Sequence, residues 1–209
     1  MPDNSKKIVI IDYGMGNLRS VFNKFRRMGY IPEISSDTDA IKKADKLILP
    51  GVGHFAKGMR NLEEKGIIDV LNDKVLHEKI PIFGICLGMQ LFSEYGEEGD
   101  CQGLGWIKAK TMRFRINDKI KYKIPHIGWN TVNIVNKAGI DNFLTDDDMF
   151  YFVHSYHIQC EDITDVWMTS WYESEFISAI KNSNIYGTQF HPEKSHDTGS
   201  KLLNQFIEL

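Results

Sequence analysis

Three times in the first half of the chain, a short and almost wholly apolar run ends in a glycine corner and gives way to apolar residues at helical spacing. Ile8-Val-Ile-Ile-Asp12 passes through Tyr13-Gly14-Met-Gly16-Asn17 to Leu18, Val21, Phe22, Phe25 and Met28. Lys46-Leu-Ile-Leu-Pro50 passes through Gly51-Val52-Gly53-His54-Phe55 to a helical pattern over 57–78 that is interrupted near Gly66. Pro81-Ile-Phe-Gly-Ile-Cys86 turns at Gly84-x-Cys86-x-Gly88 and reads as helical from Met89 to Tyr95. Between the first two units, 31–34 reads as a further strand and 38–44 as a short helix. A strand that is apolar throughout must be covered on both faces, and parallel neighbours need crossover helices. The pattern predicts an α/β fold with a mostly parallel central sheet, helices on both faces, and functional groups collected at the carboxyl ends of the strands.

After Gly99 the texture changes. Short β-like runs at 106–114, 121–124, 131–135, 149–159, 166–171, 176–181 and 185–190 alternate with turn residues. They predict a strand-rich second half that extends the sheet or adds an antiparallel one, closed by an amphipathic helix over 200–209. No repeat, linker or low-complexity tract divides the chain, so one domain is expected across residues 1–209.

Composition narrows the function. A formal net charge of −3, with only short basic clusters at 24–27 and 119–123, argues against a nucleic-acid footprint. Cys86, Cys101 and Cys160 are odd in number and widely spaced, which suggests neither a disulfide framework nor a zinc site. The start, Met1 to Lys7, leads directly towards a strand, and neither a signal peptide nor a run of about 20 apolar residues is visible. A cytoplasmic, reducing setting is expected. The Gly14-x-Gly16 pair is not a dinucleotide fingerprint, because Arg19 stands where its third glycine belongs.

The corner at Cys86 has the form of a nucleophile elbow, the cysteine counterpart of Gly-x-Ser-x-Gly. Flanking glycines keep Cβ atoms away from the turn, and the N-terminus of a following helix favours thiolate over thiol. Alone, Cys86 reads first as a small hydrophobe in a core, and the glycines overturn that reading only if a base exists elsewhere. A partner is offered by Gly187-Thr-Gln-Phe-His-Pro-Glu-Lys-Ser195. On an extended segment His191 and Glu193 would share one face, so that the carboxylate could orient the imidazole as in a nucleophile, base and acid triad. An oxyanion formed at Cys86 could be held by the first N–H groups of the next helix, beginning at Leu87, and by the glycine turn at Pro50 to Gly53. The remaining histidines, at 54, 77, 126, 154, 157 and 196, show no metal-ligand spacing.

With these residues placed, the chain resembles the triad-type, class I glutamine amidotransferases, and among them the glutaminase subunits of imidazole glycerol phosphate synthase. The resemblance is carried by Asp12 to Leu18, Pro50 to Gly53, Gly84 to Gln90, Gly103 to Gly105, Pro125 to Asn130, Tyr151 to Tyr156 and Gly187 to Ser195. It implies a flavodoxin-like fold and hydrolysis of glutamine through a Cys86 thioester, with His191 as acid and base and Glu193 orienting it. By the same resemblance Gly53, Gln90, Glu98 and Ser155 hold the substrate, and reorientation around Val52 and Gly53 completes the oxyanion hole. A (β/α)8-barrel cyclase is the implied partner, docking at Asn17, Trp129, Tyr151 and Lys194 and receiving the ammonia. The chemistry calls for no metal or organic cofactor. Trp106 and the stretch Arg113 to Tyr122 depart from the commonest pattern of that branch and leave a second customer open, a nucleotide-linked or surface sugar. A catalytically silent binding module is the alternative of another class.

Overall fold

The computed structural model describes residues 6–145 and 147–209; Met1 to Ser5, read above as the approach to the first strand, lie outside them. The first half contains β1 (Ile8–Ile11), α1 (Leu18–Arg27), β2 (Glu33–Ser35), α2 (Thr38–Lys42) and β3 (Lys46–Gly51). It continues with α3 (Phe55–Glu64), α4 (Ile68–Asn72) running into a π-helical turn at Asp73–His77, then β4 (Ile82–Cys86) and α5 (Leu87–Gln90). The second half supplies β5 (Ser93–Gly96), β6 (Cys101–Gln102), β7 (Ile107–Arg113), β8 (His126–Thr131), β9 (Asn133–Ile134) and β10 (Met149–His154). It ends with β11 (Tyr156–Cys160), β12 (Val166–Tyr172), β13 (Ser174–Asn182), β14 (Ile185–Thr188) and α6 (His196–Glu208).

A 12-stranded sheet runs β2-β1-β3-β4-β14-β13-β11-β7-β5-β6, with β12 attached at β13 and β9 at β12. The five strands from β2 to β14 are parallel, and antiparallel pairing takes over at β13, apart from the parallel pair of β5 and β7. Strand alternation sorts the apolar residues between two cores. Ile8, Ile10 and Ile48 pack with Val21 and Phe25 of α1 and with Leu202, Leu203 and Phe206 of α6. Val9, Ile11, Leu47 and Leu49 pack with Ile41, Leu62 and Leu71 of α2 to α4. Each such buried side chain contributes roughly 1.5–3 kcal/mol, which is why the parallel strands read as continuous apolar runs. No helix of the described residues is long and apolar enough to cross a membrane.

Four local expectations are corrected. The helix read from Met89 to Tyr95 is a single turn, α5, followed by β5, because Ser93 Oγ and Thr111 Oγ1 both donate to the Gln90 carbonyl, at 2.7 and 3.2 Å. The run 121–124 is a turn, held by the Asp118 carboxylate accepting from the amides of Ile120 and Lys121 at 3.1 and 3.0 Å. The run 149–159 breaks at Ser155 into β10, which pairs with β8 in a separate two-stranded ribbon, and β11, which joins the main sheet. The last helix begins at His196 rather than Ser200.

Candidate active site

β4 ends at Cys86, whose φ of 55° and ψ of −110° place a residue with a Cβ in a sparsely populated region. Such a conformation costs on the order of 1–3 kcal/mol and persists only where packing over-determines it. The two glycines supply that packing. A Cβ at Gly88 would stand 1.7 Å from the carbonyl oxygen of Leu49, and one at Gly84 would stand 2.6 Å from the Phe92 ring. β3 and the start of α5 therefore touch backbone to backbone, and the chain can leave β4 only through the strained cysteine.

The elbow opens on a cavity of about 250 Å³ lined by Val52, Gly53, Cys86, Leu87, Gln90, Glu98 and Ser155. All the residues assigned above to the substrate and oxyanion sites thus line one space. Gly51 is the register partner of Cys86, so the Val52–Gly53 turn lies beside the elbow, with Gly53 at a φ of 118°. Glu98 closes the start of α3 as well, its Oε2 accepting from the Phe55 amide at 2.8 Å. Gln90 Nε2 donates to the Tyr156 carbonyl and to Gln189 Oε1, both at 3.0 Å. A larger groove of about 800 Å³ reaches Glu193 and is bordered by Lys24, Arg27, Lys194 and Asp197, but the smaller cavity is the one that Cys86 lines.

His191 and Glu193 meet as the sequence suggests, though not on an extended segment. Pro192–Lys194 is a 3-10 turn, and this turn folds the carboxylate back so that Oε1 lies 2.8 Å from His191 Nδ1. Both side chains are buried, at 2% and 3% exposure. The backbone is clamped from two sides: the His191 amide donates to the Tyr151 carbonyl of β10 at 2.8 Å, and Ser195 Oγ, just past the turn, donates to the His191 carbonyl at 2.7 Å. Burial by itself would lower the pKa of the imidazole, but the Cys86 thiolate and the Glu193 carboxylate reverse this and push it up to about 10. Nε2 makes no hydrogen bond of ordinary geometry among the described residues, so the sulfur acts on the ring chiefly through charge.

Several neighbours escape sequence reasoning. Pro125, Val153, His154 and Tyr156 also line the cavity. Gln189 Nε2 lies 3.6 Å from Cys86 Sγ, and the Val153 carbonyl lies 3.9 Å from the same sulfur. Gln189 sits two residues before His191, which was its only sequence signal. His126 Nδ1 and His154 Nε2 pair at 3.0 Å, and burial lowers both pKa values, His126 to about 4.

Trp129 and Tyr151 face each other across the β8–β10 ribbon with ring centroids 6.0 Å apart, and Lys194 Nζ lies 5.6 Å from the Tyr151 ring centroid. The Trp129 indole, 42% exposed, stacks on His196 at 4.9 Å. Asn17 stands at the start of α1, where its side chain accepts from the Ser20 amide at 3.1 Å. The two departures noted in the sequence have structural work. Trp106 Nε1 donates to Asn72 Oδ1 at 2.8 Å, and the amides of Asn117 and Asp118 donate to the Glu173 carboxylate at 2.8 and 2.6 Å.

A cysteine held at an elbow beside a buried imidazole and carboxylate, at the carboxyl ends of parallel strands, defines a thiol-dependent acyl-transfer class. Comparison with known proteins narrows it: the pattern of the Glutamine amidotransferase class-I family matches residues 9–209. Imidazole glycerol phosphate synthase subunit HisH 2 of Methanococcus maripaludis is 52% identical over 96% of this chain and 98% of its own. Subunit HisH 1 of Campylobacter jejuni is 44% identical over 97% of this chain and 100% of its own. The chain belongs to the class I glutamine amidotransferases, and within them to the family of imidazole glycerol phosphate synthase HisH subunits. Among solved structures, PurLQS from Thermotoga maritima superposes with a TM-score of 0.73 at 17% identity, covering 97% of this chain and 98% of that one. A glutamine amidotransferase from the same organism gives 0.67 at 16% identity, over 97% and 96%. These two likenesses carry the fold.

Proposed function

We propose that the chain hydrolyses L-glutamine to glutamate and ammonia at Cys86 as the glutaminase subunit of imidazole glycerol phosphate synthase in histidine biosynthesis. The observation that carries this reading is the strained Cys86, open to the cavity, with the buried His191–Glu193 pair acting on its sulfur. The thiolate attacks the side-chain amide carbon, and N–H groups at Leu87 and at the Val52–Gly53 turn receive the oxyanion. The imidazolium of His191 gives its proton to the departing nitrogen, ammonia leaves, and a thioester remains. Water then attacks with His191 as base, and glutamate departs as the thiolate is restored. Glu193 holds the ring and its charge throughout. Gln90, Glu98, Ser155 and Gly53 hold the amino-acid portion of the substrate.

The same reading docks a (β/α)8-barrel cyclase on the face carrying Trp129, Tyr151 and Lys194, with Asn17 at its edge, and passes the ammonia to it. It takes the chain as one amidotransferase domain, supported by the family match over residues 9–209, working in the reducing cytoplasm where the Cys86 sulfur stays reduced. The test measures glutamate release with and without the barrel cyclase and its phosphoribosyl formimino substrate. Release stimulated by that substrate and abolished in Cys86→Ala is expected. Unchanged release in Cys86→Ala would remove the nucleophile, and stimulation by a sugar acceptor alone would replace the customer.

A further inference from the structure

Two side-chain amides beside Cys86 have their orientation settled by a group that can only accept. The Tyr156 carbonyl lies 3.0 Å from the Gln90 side chain, so Gln90 must turn its NH2 there. The other hydrogen of that NH2 points to the Gln189 side chain at 3.0 Å, which must therefore present its oxygen. The NH2 of Gln189 is then left facing Cys86 Sγ, at 3.6 Å. Amide orientations are ordinarily ambiguous, but here one backbone carbonyl fixes both. Gln189 is wholly buried, and its backbone N–H is held by the Ser178 carbonyl at 2.8 Å, which leaves the side chain little freedom to do otherwise.

We propose that Gln189 is a positioning residue for the reaction, donating to the sulfur of Cys86 and joining it through Gln90 to the substrate cavity. The inference rests on the reading of Cys86 as the glutaminase nucleophile. A donor aimed at sulfur stabilises the thiolate over the thiol, since only the thiolate offers full acceptor capacity. The acceptor near the sulfur, the Val153 carbonyl at 3.9 Å, is too distant to hold a thiol proton firmly. The titratable groups around the sulfur are few. His191 approaches from the segment after β14, Tyr13 from the end of β1, His154 from β10, and Glu98 lies across the cavity. Burial keeps Tyr13 and His154 neutral, so His191 supplies the favourable charge and Gln189 a neutral donor that is present at every pH. Because both hydrogens of Gln90 Nε2 are engaged, only its Oε1 remains for a ligand, and it can accept but not donate. Substrate contact at Gln90 and activation of the sulfur therefore share one chain of hydrogen bonds.

The test follows alkylation of Cys86 by iodoacetamide across pH, in a Cys101→Ser, Cys160→Ser background so that one thiol reports. In Gln189→Leu the midpoint of the pH–rate profile should rise by about one unit, the weight of a hydrogen bond to a charged group. At a pH below both midpoints alkylation should then slow about tenfold, while the plateau rate at high pH matches the parent. A midpoint equal to the parent's overturns the proposal, since a merely structural role would leave the profile in place. Gln189→Met is the second variant should the leucine fail to fold. In the unsubstituted chain the side-chain amide resonance of Gln189 should shift with the same midpoint as alkylation, and a resonance indifferent to that titration equally overturns the proposal. Failure of the glutaminase reading shows separately, as absent glutamate release in the parent with the barrel cyclase and its substrate present.

Discussion

Replacing Glu193 with glutamine keeps the volume of the side chain and removes its charge from a site where almost no water screens it. The carboxylate oxygen lies 2.8 Å from His191 Nδ1, with both side chains at 3% exposure or less. Unit charges about 4 Å apart interact by about 4 kcal/mol at an effective dielectric of 20. Losing that stabilisation of the imidazolium corresponds to a roughly 10³-fold fall in kcat. The KM for glutamine should stay within about threefold, because Glu193 does not line the glutamine cavity and changes reaching only the transition state appear in kcat. The sign of the pH effect is also fixed. The Cys86 thiolate and Glu193 raise the pKa of His191 to about 10, so the ion pair in the parent survives until pH rises through that value. Without the carboxylate the pKa falls, and the alkaline limb of the rate profile retreats to lower pH. Steady-state glutamate release from about pH 6 to about pH 11, a span that brackets the ordinary and raised imidazole values, measures both effects. A loss of kcat below about fivefold, or an alkaline limb that does not move, would refute the assignment of Glu193 as the group that charges and orients His191. Glu193→Ala should likewise cost less than His191→Ala, because the base remains.

Gly88→Ala should lower Tm by about 6–12 °C, as expected for roughly 3 kcal/mol of overpacking against the Leu49 carbonyl, read by thermal denaturation; an unchanged Tm would mean the elbow is looser than described. Cys86→Gly should abolish glutamate release yet raise Tm by about 2–4 °C, since it relieves roughly 1 kcal/mol of backbone strain at a φ of 55°. Lys194→Ala should weaken binding of the barrel cyclase in calorimetric titration while Tm shifts by less than about 2 °C, as an exposed side chain beside the Tyr151 ring contributes little to folding.

The parallel half of the fold is legible because its strands are buried on both faces, a demand that local composition must meet residue by residue. The elbow is legible for a related reason, since Gly84 and Gly88 answer contacts with Phe92 and Leu49 that no other residue could make. His191 and Glu193 are found by proximity in sequence, yet an extended segment would only set them on one face, and it is the 3-10 turn that brings them into contact. Other features depend on partners far along the chain. The shortness of α5 follows from a hydroxyl at Thr111, and the ribbon of β8 and β10 exists only because each has the other. Gln189 is hidden in another way: its role comes from a carbonyl at Tyr156 acting through a second amide, and a backbone group leaves no trace in residue identity. Val52, Gln90, Glu98 and Ser155 enter through resemblance rather than spacing, although they border the same cavity.

β14 pairs directly with β4, with Gly187 opposite Gly84, although the chain reaches Gln189 103 residues after Cys86. At a translation rate of about 5–20 residues per second, the thiol leaves the ribosome roughly 5–20 seconds before its donor and its base. During that interval β4 lacks its neighbour on one side, and Cys86 has neither the imidazole nor the amide that raises its reactivity. The order of strands therefore works as a timer: the sulfur is armed only when β14, made about a hundred residues after β4, closes that side of the sheet, so chains that stop short of it carry an ordinary cysteine and consume no glutamine.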